Sequence, residues 1–123
     1  MKLSIQTRET GGVMILTCAG RIMLGEESAA LRDALQAAAG KAHKVVLNFA
    51  GVTYVDSGTL GMLVGAYTAA RANGASIKLA ALGPHFHDVL ETTRLLKIFE
   101  VYETEEQALA ALGAGAAAME DKA

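Results

Sequence analysis

From Leu60 onward the apolar residues recur at helical spacing, at Leu60, Leu63, Val64, Tyr67 and Ala70, the pattern of a helix with one buried face. Directly before them stand Asp56 and Ser57, both residue types whose short side-chain oxygens cap helix N-termini. Gly61 and Gly65 lie four apart on this helix and predict a bare strip along which it approaches its neighbours closely. Asn73-Gly74 is the stop. The stretch from Tyr54 to Gly65 thus places a hydroxyl and a carboxylate at the positive end of a helix dipole.

The rest of the pattern is strands and helices in turn. Residues 3–8 and 13–19 read as two strands joined by Glu9-Thr10-Gly11-Gly12, a hairpin connection. Glu26, Glu27 and Ser28 open a helix whose stripe is Leu31, Ala34, Leu35 and Ala38, with Gly40 as its end. Val45-Val46-Leu47-Asn48-Phe49 is a strand leading into the Asp-Ser loop, and Ser76 to Ala81 is the next strand. Gly83-Pro84 starts a third helix with Phe86, Val89 and Leu90 inward, proline sitting where its missing N–H is harmless. Arg94 to Ile98 is irregular, Phe99 to Tyr102 is a short strand, and Thr104-Glu105-Glu106-Gln107 is a capping box opening a last helix to about Leu112. A single domain over 1–113 is expected, with 114–123 a frayed tail.

Helix–strand alternation after an initial hairpin predicts an α/β fold with a mixed, mostly parallel sheet of four to five strands. Val45, Leu47 and Phe49 share one face of their strand, against Lys44 and Asn48; Ile77 and Leu79 oppose Ser76 and Lys78. Strands covered on both faces would be apolar on both. The helices are therefore expected mainly on one face.

Composition narrows the function. The 123 residues suit one core, and 52% apolar content is far from a disordered chain. A net charge of −2 with both signs interspersed argues against direct nucleic-acid or anionic-membrane binding. Cys18 is the one cysteine, so a reducing compartment is the simplest expectation. The N-terminus lacks the apolar core of a signal peptide. The longest charge-free run, Ser57 to Ala70, is shorter than the ~20 residues of a membrane span. A cytoplasmic domain is expected.

Chemistry for catalysis is sparse. There is no G-x-x-x-x-G-K-[ST] and no G-x-G-x-x-G after a strand. His85 and His87 are two apart and point different ways on a helix, so no metal or cofactor site is expected. Asp56-Ser57-Gly58 has a protease-like look, with His43 as a candidate base, but the chain is too short and too helical for that fold. No catalytic residue is assigned. Asp56 and Ser57 are then either plain caps or the frame of a regulated hydroxyl, since helix N-termini accept phosphate. Local sequence leaves both open.

With the elements in order, the chain resembles the STAS domains, and among them the bacterial anti-sigma factor antagonists, from roughly Leu3 to Leu112. Val55-Asp56-Ser57-Gly58-Thr59-Leu60-Gly61 is similar to the family's Asp-Ser-[Ser/Thr/Ala]-Gly-Leu-Gly signature. Val45 to Phe49, Leu95-Leu96-Lys97-Ile98-Phe99 and Glu105 to Leu109 support it. The resemblance implies phosphorylation at Ser57 and a partner-binding site at Asp56, Ser57, Gly58 and Thr59. It implies as partner an anti-sigma factor that is also a serine kinase, with a serine phosphatase reversing the modification. Two departures stand out: Gly58 precedes Thr59 where the family has the glycine second, which predicts a flexible hinge, and Met23 stands where the family often has an acidic residue. The rival readings are a constitutive STAS scaffold and a sensor binding a nucleotide or lipid on the open sheet face.

Overall fold

A computed structural model describes residues 2–113. The expectation of a frayed tail at 114–123 lies outside the described residues. Two strands, β1 (Ser4–Thr10) and β2 (Val13–Ile22), form the hairpin. There follow α1 (Glu26–Ala42), β3 (Lys44–Val55), α2 (Ser57–Ala72), β4 (Ser76–Ala80) and α3 (Pro84–Thr92). A 3-10 turn at Leu95–Lys97, a two-residue β5 (Val101–Tyr102) and α4 (Glu105–Ala111) close the fold. The sheet order is β1-β2-β3-β4-β5, with β1 and β2 antiparallel and every other pair parallel. This is the mixed α/β sheet that the alternation predicts.

The main core lies between the sheet and α1, α2 and α3. Leu16, Cys18, Leu47, Phe49, Ile77 and Leu79 meet Leu31, Leu35, Leu63, Tyr67, Phe86 and Leu90 there. Phe86 packs its ring 4.8 Å from that of Phe49, and Phe99 meets Tyr67 edge-on at 4.9 Å. Three of the four α-helices among the described residues share this face, as expected. The other face is not bare, however. Val13, Ile15, Val46 and Ala80 are buried under Ala108 and Leu112 of α4. Val46, between two polar neighbours on its side of β3, is the residue that marks this second layer. Glu105 anchors α4 there: it pairs with Arg8 and accepts from Asn48 Nδ2 at 2.9 Å.

Three boundaries and one helix face differ from the sequence expectation. Gly40 does not end α1; the helix runs on to Ala42 and stops at His43, which takes the left-handed conformation (φ 60°). β3 does not yield to a loop after Phe49 but continues to Val55, because β2 also extends, to Ile22, and carries it. Gly51 permits that close pairing, since a Cβ there would lie 2.8 Å from the Cβ of Ala19. β5 begins at Val101 rather than Phe99. Gly61 and Gly65, finally, face open space rather than a neighbouring element; a Cβ at either would meet nothing within 4 Å.

Candidate functional site

The C-terminal end of β3 delivers Asp56 directly to the start of α2. Asp56 is extended (φ −98°, ψ 170°), and its Oδ1 accepts the Thr59 amide at 2.8 Å. It is the N-cap, and it satisfies one of the donors a helix start leaves without an intrahelical partner. Its second oxygen goes elsewhere: Oδ2 accepts the backbone N–H of Leu24, 32 positions earlier in the chain, at 2.9 Å. The Leu24 amide, and after it Thr59, hold the Asp56 carboxyl below its ordinary value of 3.8, because each favours the ionised form. The group is an anion at neutral pH.

Ser57 follows as the first residue of α2 and is exposed. Because Asp56 takes the cap, the Ser57 hydroxyl is left at the surface, at the positive end of the α2 dipole. Thr59 is placed differently. Its side chain is only 1% exposed, and its hydroxyl donates to the Ile22 carbonyl at 3.1 Å. Of the four residues that the resemblance assigns to partner binding, Asp56, Ser57 and Gly58 reach the surface and Thr59 is turned inward. Its bond to Ile22 braces the site from beneath.

Gly58 is the second residue of α2, with ordinary helical surroundings rather than the geometry of a hinge. What occupies the space beside it is Leu24, whose Cδ2 and Cβ would lie 2.8 and 3.0 Å from a Cβ at position 58. Residues 22–24, at the end of β2 and just past it, thus meet the start of α2 at three points, through the Ile22 carbonyl, the Leu24 amide and the Leu24 side chain. Sequence patterning missed this segment. The signal was two apolar residues, Met23 and Leu24, belonging to neither the β2 alternation nor the α1 stripe. On the far side, Tyr54 stacks on His85 with ring centroids 5.0 Å apart. His43 is nowhere near: it precedes β3 whereas Ser57 follows it, and twelve strand residues span more than about 30 Å. It is no base for Ser57.

The sequence profile of the STAS domain family matches residues 4–108. The chain belongs to the STAS domain family. A relative from Paenibacillus polymyxa described as an anti-sigma F factor antagonist is 26% identical over 114 residues, covering 91% of this chain and 97% of the relative. An anti-sigma factor antagonist structure from Mycobacterium paratuberculosis superposes with a TM-score of 0.77 at 25% identity, covering 89% of this chain and 93% of that one. SpoIIAA of Bacillus in its phosphorylated form superposes with a TM-score of 0.68 at 19% identity, over 89% and 99% of the two chains, and shares the fold. Among the described residues of this STAS domain, no helix is long and apolar enough to cross a membrane.

Proposed function

We propose that this STAS domain is a non-enzymatic anti-sigma factor antagonist of the cytoplasm, switched by phosphorylation of Ser57. Unmodified, it sequesters an anti-sigma factor that is also a serine kinase, and a sigma factor is freed. Phosphorylated by that kinase, it lets go until a serine phosphatase resets it. The observation that carries the reading is the division of labour at the start of α2. Asp56 caps the helix, Thr59 is buried, and Ser57 alone of the two hydroxyls is exposed for modification. The names and folds of the relatives support the partner class.

The electrostatics explain why modification would break the complex. A phosphoserine carries nearly two negative charges and would stand beside an Asp56 that is already ionised. The fold tolerates it, since helix N-termini accept anions. A kinase surface here surrounds the phosphates of ATP, so like charges meet with water excluded. That opposes the ~8–12 kcal/mol of a micromolar to nanomolar complex by several kcal/mol. Affinity is therefore expected to fall by about two orders of magnitude or more, with no refolding of the domain. The test is titration of the unmodified, Ser57→Ala and phosphorylated forms against one purified anti-sigma factor kinase. The unmodified and alanine forms should bind alike and the phosphorylated form weakly. Equal binding by all three would make the domain a constitutive scaffold.

A further inference from the structure

Leu24 is 65% exposed, and Met23 beside it is 36% exposed. A single surface leucine is unremarkable by itself. This one is held. Its amide donates to Asp56, the Met23 amide donates to Glu27 Oε1 at 2.9 Å, and the Ile22 carbonyl takes the Thr59 hydroxyl. Three hydrogen bonds in three successive residues fix the backbone that carries this apolar side chain into water, where the domain itself gains little from it. Preorganisation of this kind lowers the entropy lost when a partner docks.

Gly58 supplies the second observation. Alanine is the better residue within a helix, and Gly58 has no left-handed backbone that would require glycine. The reason for glycine is spatial. A Cβ would meet not only the mobile end of Leu24 but also its Cβ and Cγ, at 3.0 and 3.1 Å. The Cγ can turn away about χ1, but the Cβ cannot move without moving backbone that Asp56 holds. Leu24 and Gly58 are a size-matched pair next to Ser57.

The surroundings state what docks. Met23 and Leu24 edge a groove shared with Lys2, Leu3, Glu26 and Glu27, and Asp56 lies against Leu24 on the other side. Three carboxylates against one ammonium disfavour an anionic lipid surface and favour a basic protein surface. We infer that Leu24, seated over Gly58, is the anchor that determines which partner this chain accepts, the partner being a protein with an apolar recess edged by basic side chains. This rests on the proposed switch for the identity of that protein.

The test uses the full chain, its Leu24→Ala, Gly58→Ala and double variants, and a purified anti-sigma factor kinase of the same organism. Each single variant should bind about tenfold or more weakly, the scale of an interface anchor, and Leu24→Ala should melt close to the parent. The double variant should bind no more than about twofold worse than Leu24→Ala, because the two changes remove one contact. Leu24 methyl resonances should move in Gly58→Ala. Parent-like binding by Leu24→Ala, with phosphorylation still abolishing the complex, would overturn the inference and leave the switch intact. A further large loss in the double variant would show that Gly58 acts on Ser57 directly, and would overturn the pairing. A dimer of the parent that Leu24→Ala dissociates would assign the anchor to self-association instead. A parent that binds no such kinase would remove both readings.

Discussion

Among the described residues, α2 and α4 begin with a side-chain cap, and they differ in where the cap's remaining capacity goes. At α4, Thr104 Oγ1 accepts the Gln107 amide at 3.1 Å, and Gln107 Oε1 returns to the Glu103 amide at 3.1 Å. The exchange closes within five residues. At α2, Asp56 takes the Thr59 amide with one oxygen and the Leu24 amide with the other. The first arrangement stabilises a helix; the second also ties a distant segment to the place where that helix starts. A cap that reaches across the fold positions a surface, and that surface surrounds Ser57.

The sharpest way to break the comparison is to truncate both caps. Asp56→Ala removes an N-cap and a bond to another element, an expected loss of about 1.5–3 kcal/mol. Thr104→Ala removes a local cap only, about 0.5–1.5 kcal/mol. At roughly 3–6 °C per kcal/mol for a domain of this size, thermal unfolding should separate the two clearly. Hydrogen exchange at the Leu24 amide should speed up in the first variant alone. Equal melting points and an unchanged Leu24 amide would erase the distinction.

Acid titration sharpens it further. The folded-state pKa of Asp56 is lowered, so the stability it contributes is present above the unfolded value near 3.8 and is lost as pH falls through the folded value. The parent and Thr104→Ala should share the same acid slope below about pH 4.5. Asp56→Asn keeps a capping oxygen and should flatten that slope while costing less at pH 7 than Asp56→Ala. Stability measured in urea from pH 7 to pH 3 checks this.

A smaller effect, of opposite sign, concerns the exposed side of α2. Gly61 and Gly65 have open space where a Cβ would stand, so Gly61→Ala and Gly65→Ala should each stabilise by about 0.5–1 kcal/mol. A fall in melting temperature would reveal a contact that the open space does not suggest. The smallest effect is expected at the switch itself. Ser57→Asp gains ~0.3–1 kcal/mol from the helix dipole and loses a comparable amount to Asp56. Its melting temperature should stay within about 2 °C of the parent; a drop beyond about 8 °C would mean a structural hydroxyl.

Local chemistry determined much of this protein before any fold was in view. The stripe from Leu60 to Tyr67, the Pro84 start of α3 and the Thr104–Gln107 box are all signals carried within a few residues, and each stands where it was read. The mostly parallel sheet followed from their order. Tertiary structure alone decided the rest. β3 persists through Ala50 and Gly51 because β2 pairs with it, not because those residues favour a strand. Val46 is buried because α4, sixty residues later, lies over it. Asp56 and Thr59 read equally well as polar residues of one turn; only the neighbouring residues 22–24 make one a bridge and bury the other. Caps and stripes depend on neighbours three or four positions away, which a sequence displays. The burial of Thr59 and the seat of Leu24 depend on partners more than thirty positions away, which only the folded chain brings together.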